Sequence, residues 1–125
     1  MSGNRYLLDT NYILGLLKSS PKVMDDISRR GILTNQGAYS VITRLELLGY
    51  PGITDQEHRL ILEKLQRLSY LPLTRPIEEQ TIRLRRTHRV KLPDAIIAAT
   101  SMVHGLDLLT FDQKLTSILS VMTSP

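Results

Sequence analysis

The 125-residue chain has no cysteine, no tryptophan and only one phenylalanine. Without thiols it can build no disulfide scaffold, thiolate zinc site or cysteine nucleophile. Phe111 and five tyrosines are its only aromatics, which disfavours a stacking platform that holds single strands without cutting them. Tyr6, Tyr12 and Tyr39 read instead as core. The longest unbroken apolar run, Ala95 to Ala99, is far too short to span a membrane. Asp9 interrupts the apolar stretch near the N-terminus and no small-residue cleavage site follows, which argues against a signal peptide. The expectation is a soluble cytoplasmic protein with no membrane contact.

What is present is ordinary globular composition, 42% hydrophobic and 22% charged. That suffices for one domain with its own core and is too little for two, so residues 1–125 are read as a single domain. Sixteen Lys and Arg against twelve Asp and Glu give a formal charge of +4, with a pI near 9.6. That balance favours polyanionic partners such as nucleic acid.

Short β-rich runs alternate with helical stretches. Arg5 to Leu8 reads as a strand ended by Asp9, with Thr10-Asn11 offering an N-cap to a helix over Tyr12 to Leu17. Pro21 opens a helix that runs to Arg30 and stops at Gly31. Ala38 to Ile42 reads as a second strand, leading into a helix through Leu45, Leu47 and Leu48 that ends by Pro51. Thr54-Asp55-Gln56-Glu57 is a capping box that starts a helix to about Arg67. Ser69 to Leu73 is a third strand, and Pro76 opens the helix after it. Pro93-Asp94 begins a helix from Ala95 to His104, closed by Gly105. Leu106 to Thr110 is a fourth strand and Ile118 to Met122 a short fifth. This alternation predicts an α/β fold with a mostly parallel sheet covered by helices on both faces.

In such a sheet the residues just past the strands face the ligand crevice. Eight of the twelve acids have surface explanations. Asp25 and Asp26 fall on a polar helix face, Asp55 and Glu57 in the capping box, and Glu63 beside Lys64. Glu78 and Glu79 lie at a helix N-terminus, and Asp107 in a turn before a strand. Asp9, Glu46, Asp94 and Asp112 instead lie at strand ends or helix starts, embedded in apolar sequence. Singly, each has a structural use: Asp94 for the helix dipole, Asp9 and Asp112 as turn caps, Glu46 as a partner for Arg44. Jointly they are costly, because two carboxylates about 4 Å apart repel by roughly 1 kcal/mol in water and about 4 kcal/mol at an effective dielectric of 20. Protons or a cation must relieve that repulsion, and hard oxygen donors without Cys or adjacent His point to Mg²⁺ or Mn²⁺.

Leu7-Leu8-Asp9-Thr10-Asn11, Glu46 within Ser40 to Glu46, Leu92-Pro93-Asp94-Ala95 and Leu109-Thr110-Phe111-Asp112 together resemble the PIN-domain family. The resemblance spans nearly the whole chain and keeps the family's order of acids. It implies a three-layer α/β/α sandwich with a mostly parallel five-stranded sheet. It further implies an Mg²⁺- or Mn²⁺-dependent ribonuclease, most often the VapC-like toxin half of a toxin–antitoxin pair. Asp9, Glu46 and Asp94 would be the metal-binding acids. Asp112 would be the fourth, holding a second metal or a metal-bound water. A small antitoxin protein and a homodimer are implied as partners. Phe111 departs from the family, which often has a small or polar residue there, and Leu115 stands where an aromatic is common.

Asn11 reads as a site amide and an N-cap at once, and Thr110 as a hydroxyl that orients acid or water, or as an ordinary edge-strand residue. The stretch Arg83 to Lys91 carries five of the sixteen basic residues just before Asp94. Arg85, Arg86, Arg89 and Lys91, with Arg44, are candidate contacts to the RNA backbone, or else a solvated face. No Ser/His/Asp arrangement competes, since His58, His88 and His104 fall in helices or at their ends. Two other readings are a catalytically inactive RNA-binding or scaffold protein of the same fold, and a small α/β phosphotransfer domain. The second is disfavoured because the first strand ends in a lone Asp9, and Lys114 has no strand around it.

Overall fold

The alternation of β-rich and capped helical segments builds four strands and seven α-helices among the described residues. They are β1 (Tyr6–Leu8), α1 (Thr10–Leu17), α2 (Pro21–Arg30), β2 (Gly37–Ser40), α3 (Val41–Leu48) and α4 (Asp55–Leu65). After these come β3 (Ser69–Leu71), α5 (Arg75–Thr87), α6 (Leu92–His104), β4 (Asp107–Leu109) and α7 (Gln113–Thr123). The structure, a computed structural model, describes residues 3–123, with side chains to Val121.

Local chemistry sets most of the boundaries. Gly31 and Gly105 end α2 and α6 in the left-handed conformation, at φ 65° and 63°. In the capping box before α4, the Glu57 N–H donates to Thr54 Oγ1 at 3.1 Å and the Thr54 N–H donates to Glu57 Oε1 at 3.0 Å. The second strand stops at Ser40, short of the expected Ile42. Ser40 Oγ accepts from the Thr43 N–H at 3.4 Å and caps α3, so Val41 and Ile42 become its first turn. The third and fourth strands are likewise shorter than expected, and Asp107 opens β4 rather than sitting in a turn.

One expected element is replaced. Ile118 to Met122 is not a fifth strand but part of α7. Leu115 and Ile118 are both buried and Leu119 packs beside them, a helical spacing of three and four that closes on the alanine face of α6. The described sheet therefore has four strands rather than five, all parallel, in the order β3-β2-β1-β4.

Pleating of the central strand divides the core. Tyr6 and Leu8 pack with Tyr12, Ile13, Val23 and Leu65 on one side, while Leu7 faces Ile97 of α6 on the other. Behind α6, its Ala95, Ala98 and Ala99 let Ile77 and Leu84 of α5 approach closely. Gly15 does the same between α1 and α2, where a Cβ would collide with the Val23 side chain. The result is an α/β fold with helices on both faces of a parallel sheet. No described helix is long and apolar enough to cross a membrane.

The strand order decides where a ligand could sit. From β1 the chain winds outward through β2 and β3, then returns to place β4 on the other side of β1. A crevice opens at such a reversal, at the carboxyl ends of the strands. The pairing of Leu8 with Leu109 brings Asp9 and Thr110 to that edge side by side.

Candidate active site

Asp9 leaves β1 at this edge and is 8% exposed. Its Oδ1 accepts the Thr10 N–H at 2.7 Å and its Oδ2 accepts the Thr110 hydroxyl at 2.7 Å. Asp9 itself is thus the N-cap of α1, not Thr10-Asn11 as the sequence suggests. Asn11 is exposed in the first turn and lines a neighbouring groove. Thr110 lies beside Asp9, just past the end of β4. Besides donating to Asp9, its oxygen accepts the Asp112 N–H at 3.0 Å. Asp112 is exposed, and its Oδ1 accepts the Lys114 N–H at 2.9 Å at the start of α7.

Glu46 projects from α3, and its Oε1 accepts from Thr10 Oγ1 at 2.7 Å. Thr10 Oγ1 also lies 2.9 Å from Thr43 Oγ1. An ionised carboxylate only accepts, so Thr10 spends its one proton on Glu46 and the buried Thr43 hydroxyl donates to Thr10. Among the described residues Glu46 makes no ion pair with Arg44. Asp94 sits half-buried in the first turn of α6. Burial pushes its carboxyl above the usual range, and the charges of Asp112, Asp9 and Glu46 push it further, with Lys91 opposing. The charges of Asp9, Glu46 and Asp112 thus all bear on Asp94.

Among the described residues no three acidic or histidine side chains are arranged to hold a metal ion as they stand. The donor chemistry still suits a hard divalent cation. Every donor is a carboxylate oxygen, and the repulsion felt by Asp94 is what a cation would relieve.

Sequence pattern alone does not single out Thr10 as a hydroxyl donor, or Thr43 at all. Thr10 is masked by its neighbours in the Asp9-Thr10-Asn11 turn, and Thr43 sits in α3 beside the more conspicuous Arg44 and Glu46. Replacing Thr10 by Val removes the donor to Glu46 and strands a buried hydroxyl on Thr43. The expected loss is about 1–2 kcal/mol of stability by urea denaturation. Thr10→Ser should restore it, and a valine variant as stable as wild type would show that the relay carries nothing.

Asp26, expected on a polar helix face, is 4% exposed. It accepts from the Tyr12 hydroxyl at 2.7 Å, Arg29 Nη2 at 2.7 Å and Arg30 Nε at 3.0 Å. Burial raises its pKa, but hydrogen bonds from Tyr12, Arg30 and Arg29 outweigh that and hold it below the usual range. The spacing of Asp26 to Arg29 and Arg30, three and four residues on, is the signal that sequence offers for it.

The candidate RNA contacts separate. The Arg44 guanidinium lies 5.6 Å from the ring centroid of Tyr70, on the edge strand β3. Arg85, Arg86 and Arg89, with His88, line a groove of about 540 Å³ whose apolar lining includes Ile82 and Val90. None of these arginines forms an ion pair among the described residues. Lys91, also outside any ion pair among the described residues, is near enough to Asp94 for its charge to oppose the upward shift. A second groove, of about 680 Å³, is lined by Thr10, Asn11 and Glu46 together with Leu14, Ile53 and Ile61.

A model of the PIN-domain family matches residues 6–118, which include all four acids. Among solved structures, the chain is 28% identical to a chain of a toxin-antitoxin complex from Klebsiella pneumoniae. The TM-score is 0.75, over 87% of this chain and 88% of that one. It is 25% identical to a chain of VapBC-1 from nontypeable Haemophilus influenzae, with a TM-score of 0.74 over 93% and 92%. FitAcB from Neisseria gonorrhoeae, 24% identical over 92% and 93%, shares the fold at a TM-score of 0.73. No curated protein matches the chain by sequence.

Proposed function

The chain belongs to the PIN-domain family, and from that premise we propose that it is a ribonuclease dependent on Mg²⁺ or Mn²⁺, the toxin half of a toxin–antitoxin pair. The observation that carries the reading is geometric: Thr10 joins Glu46 to Asp9 and Thr110 joins Asp9 to the Asp112 backbone, with Asp94 near enough for their charges to push its carboxyl up. Acids from separate parts of the chain thus gather around Asp94 near the carboxyl edge of the sheet, where a phosphate and a cation can meet.

Asp9, Glu46 and Asp94 are the metal-binding acids in this reading, with Asp112 the fourth. A divalent ion held there would polarise the phosphate and acidify a water. The protein's own part is to fix the ligands beforehand. Thr110 and the Thr10 N–H orient Asp9, and the Thr43–Thr10 relay orients Glu46. A carboxylate would take a proton from the attacking water as the water oxygen bonds to phosphorus, the bond from phosphorus to the ribose oxygen breaks, and that leaving oxygen takes up a proton. Lys91, beside Asp94, and Arg85, Arg86 and Arg89 hold the flanking backbone. Arg44, over Tyr70, is the least directly placed of these contacts.

An antitoxin fits the groove beside Glu46, whose apolar lining offers burial and whose acid offers a partner for a basic side chain. The Klebsiella relative, a chain of a toxin-antitoxin complex, supports such a partner. Exposed Leu45, Tyr50 and Leu60 add apolar surface for a partner or a second copy.

The test is cleavage of folded RNA by the purified chain. Cleavage should require added Mg²⁺ or Mn²⁺, stop with chelator, and rise with salt removal. Tight RNA binding without cleavage, in either metal, would favour the inactive RNA-binding alternative.

A further inference from the structure

Phe111 stands between Thr110, which holds Asp9, and the acid Asp112. Phe111 is 40% exposed, yet its ring is held from two sides of the fold. It stacks on Tyr12 of α1, with centroids 5.4 Å apart and planes at 26°. The Lys22 ammonium of α2 lies 4.2 Å from its centroid. Tyr12 is itself immobilised, being 1% exposed and bonded through its hydroxyl to Asp26 of α2.

Asp112 needs such a support. The strand ends at Leu109, and the hydrogen bonds at Asp112 are local ones, to Thr110 and to Lys114 and Thr116 of α7. Thr110 anchors the near side of the segment through Asp9. We propose that Phe111 is a positioning residue for Asp112. Through the Tyr12–Phe111–Lys22 stack, α1 and α2 hold the segment that carries the fourth acid of the cluster. The inference rests on the metal-binding reading of that cluster only for its functional consequence, because the stack itself is geometry.

The distinction fixes the experiment. Two readouts are compared in the full chain: hydrogen exchange at the Asp112 and Lys114 amides without metal, and calorimetric Mn²⁺ binding. Phe111→Ala should speed exchange at both amides and weaken Mn²⁺ binding, each by about tenfold, the order of one aromatic and one cation–π contact. Exchange within α6 should not change. Phe111→Tyr keeps the ring and should restore both values. In an Asp112→Asn background the alanine change should alter Mn²⁺ affinity less than about twofold, as expected of two residues that act through one another. Lys22→Ala, which leaves the core intact, should speed exchange at the same amides to a smaller extent.

Unchanged exchange in Phe111→Ala would overturn the proposal. So would an equal loss of Mn²⁺ affinity with and without Asp112, since the ring would then act elsewhere. A variant altered only in its KM for RNA would make Phe111 a base-stacking surface and overturn it too. If wild type binds no Mn²⁺ but exchange responds as described, positioning by Phe111 stands and the metal reading of the cluster fails.

Discussion

Asp94→Asn is expected to slow RNA cleavage by orders of magnitude while making the metal-free protein more stable at neutral pH. Two effects act on the Asp94 charge in opposite senses. The N-terminus of α6 favours a carboxylate by about 0.3–1 kcal/mol. Burial and the charges of Asp112, Asp9 and Glu46 oppose it, and the upward shift says that they win. A raised carboxylate pKa means that the fold keeps the proton to higher pH than the unfolded chain does. Stability is therefore full below the unfolded value, near 3.9, and falls as pH rises through the folded pKa. At pH 7 the ionised Asp94 destabilises the fold, and asparagine removes that penalty. Solvent screening of this partly exposed carboxylate limits the gain to roughly 0.5–1 kcal/mol, or about 2–5 °C in Tm, which should appear without metal and vanish below about pH 4. Saturating Mn²⁺ should reverse the order by stabilising wild type selectively. Cleavage should fall by about 10²–10⁴-fold. A variant less stable than wild type at pH 7 in chelator would contradict the electrostatic account.

The second large effect is on stability alone. Asp26→Ala should cost about 2–3 kcal/mol by urea denaturation, or roughly 10 °C in Tm. The ion pairs are not the main reason. The side chains of Arg29 and Arg30 are 77% and 48% exposed, so solvent screens both. The cost comes from the Tyr12 hydroxyl, 1% exposed as a residue and left without an acceptor. Burial first, and then Asp26, push the tyrosine pKa up, so it stays a neutral donor. Tyr12→Phe combined with Asp26→Ala should recover part of the loss. The depressed pKa of Asp26 also sets a pH window. Its contribution is present above the unfolded value near 3.9 and lost as pH falls through the folded value. Equal stability of Asp26→Ala and wild type at pH 7, or a loss that is independent of acid, would refute this.

The two acids show what is legible in the sequence. Asp94 stands out because Pro93 and the alanine-rich run after it mark a buried helix start. Asp26 does not, because an acid on an amphipathic helix looks the same whether it faces water or a buried tyrosine 14 residues away. The same limit applies to strands. Helix ends at Gly31 and Gly105, and the box at Thr54, are readable because each is fixed by chemistry within a few residues. The ends of β2 and the identity of Ile118 to Met122 are not. Ile, Val and Leu serve a strand or a helix equally well, and the neighbour they pack on decides. At the site, Asp9 just past β1, Asp94 in the first turn of α6 and Asp112 just before α7 stand where the sequence places them, whereas Glu46 lies in the last turn of α3 rather than at a helix start. The hydroxyls of Thr10 and Thr43 are not readable, since a threonine acquires a role only when the fold sets it beside a carboxylate.

The central claim is that Asp9, Glu46, Asp94 and Asp112 form one cation-binding cluster. A calorimetric Mn²⁺ titration of the metal-free chain, repeated for Asp9→Asn, Glu46→Gln, Asp94→Asn and Asp112→Asn, tests it most directly. Wild type should bind Mn²⁺, and every variant should bind it more weakly, with Asp9→Asn and Asp94→Asn losing most. Mn²⁺ binding that is absent in wild type, or as tight in all four variants as in wild type, would contradict it.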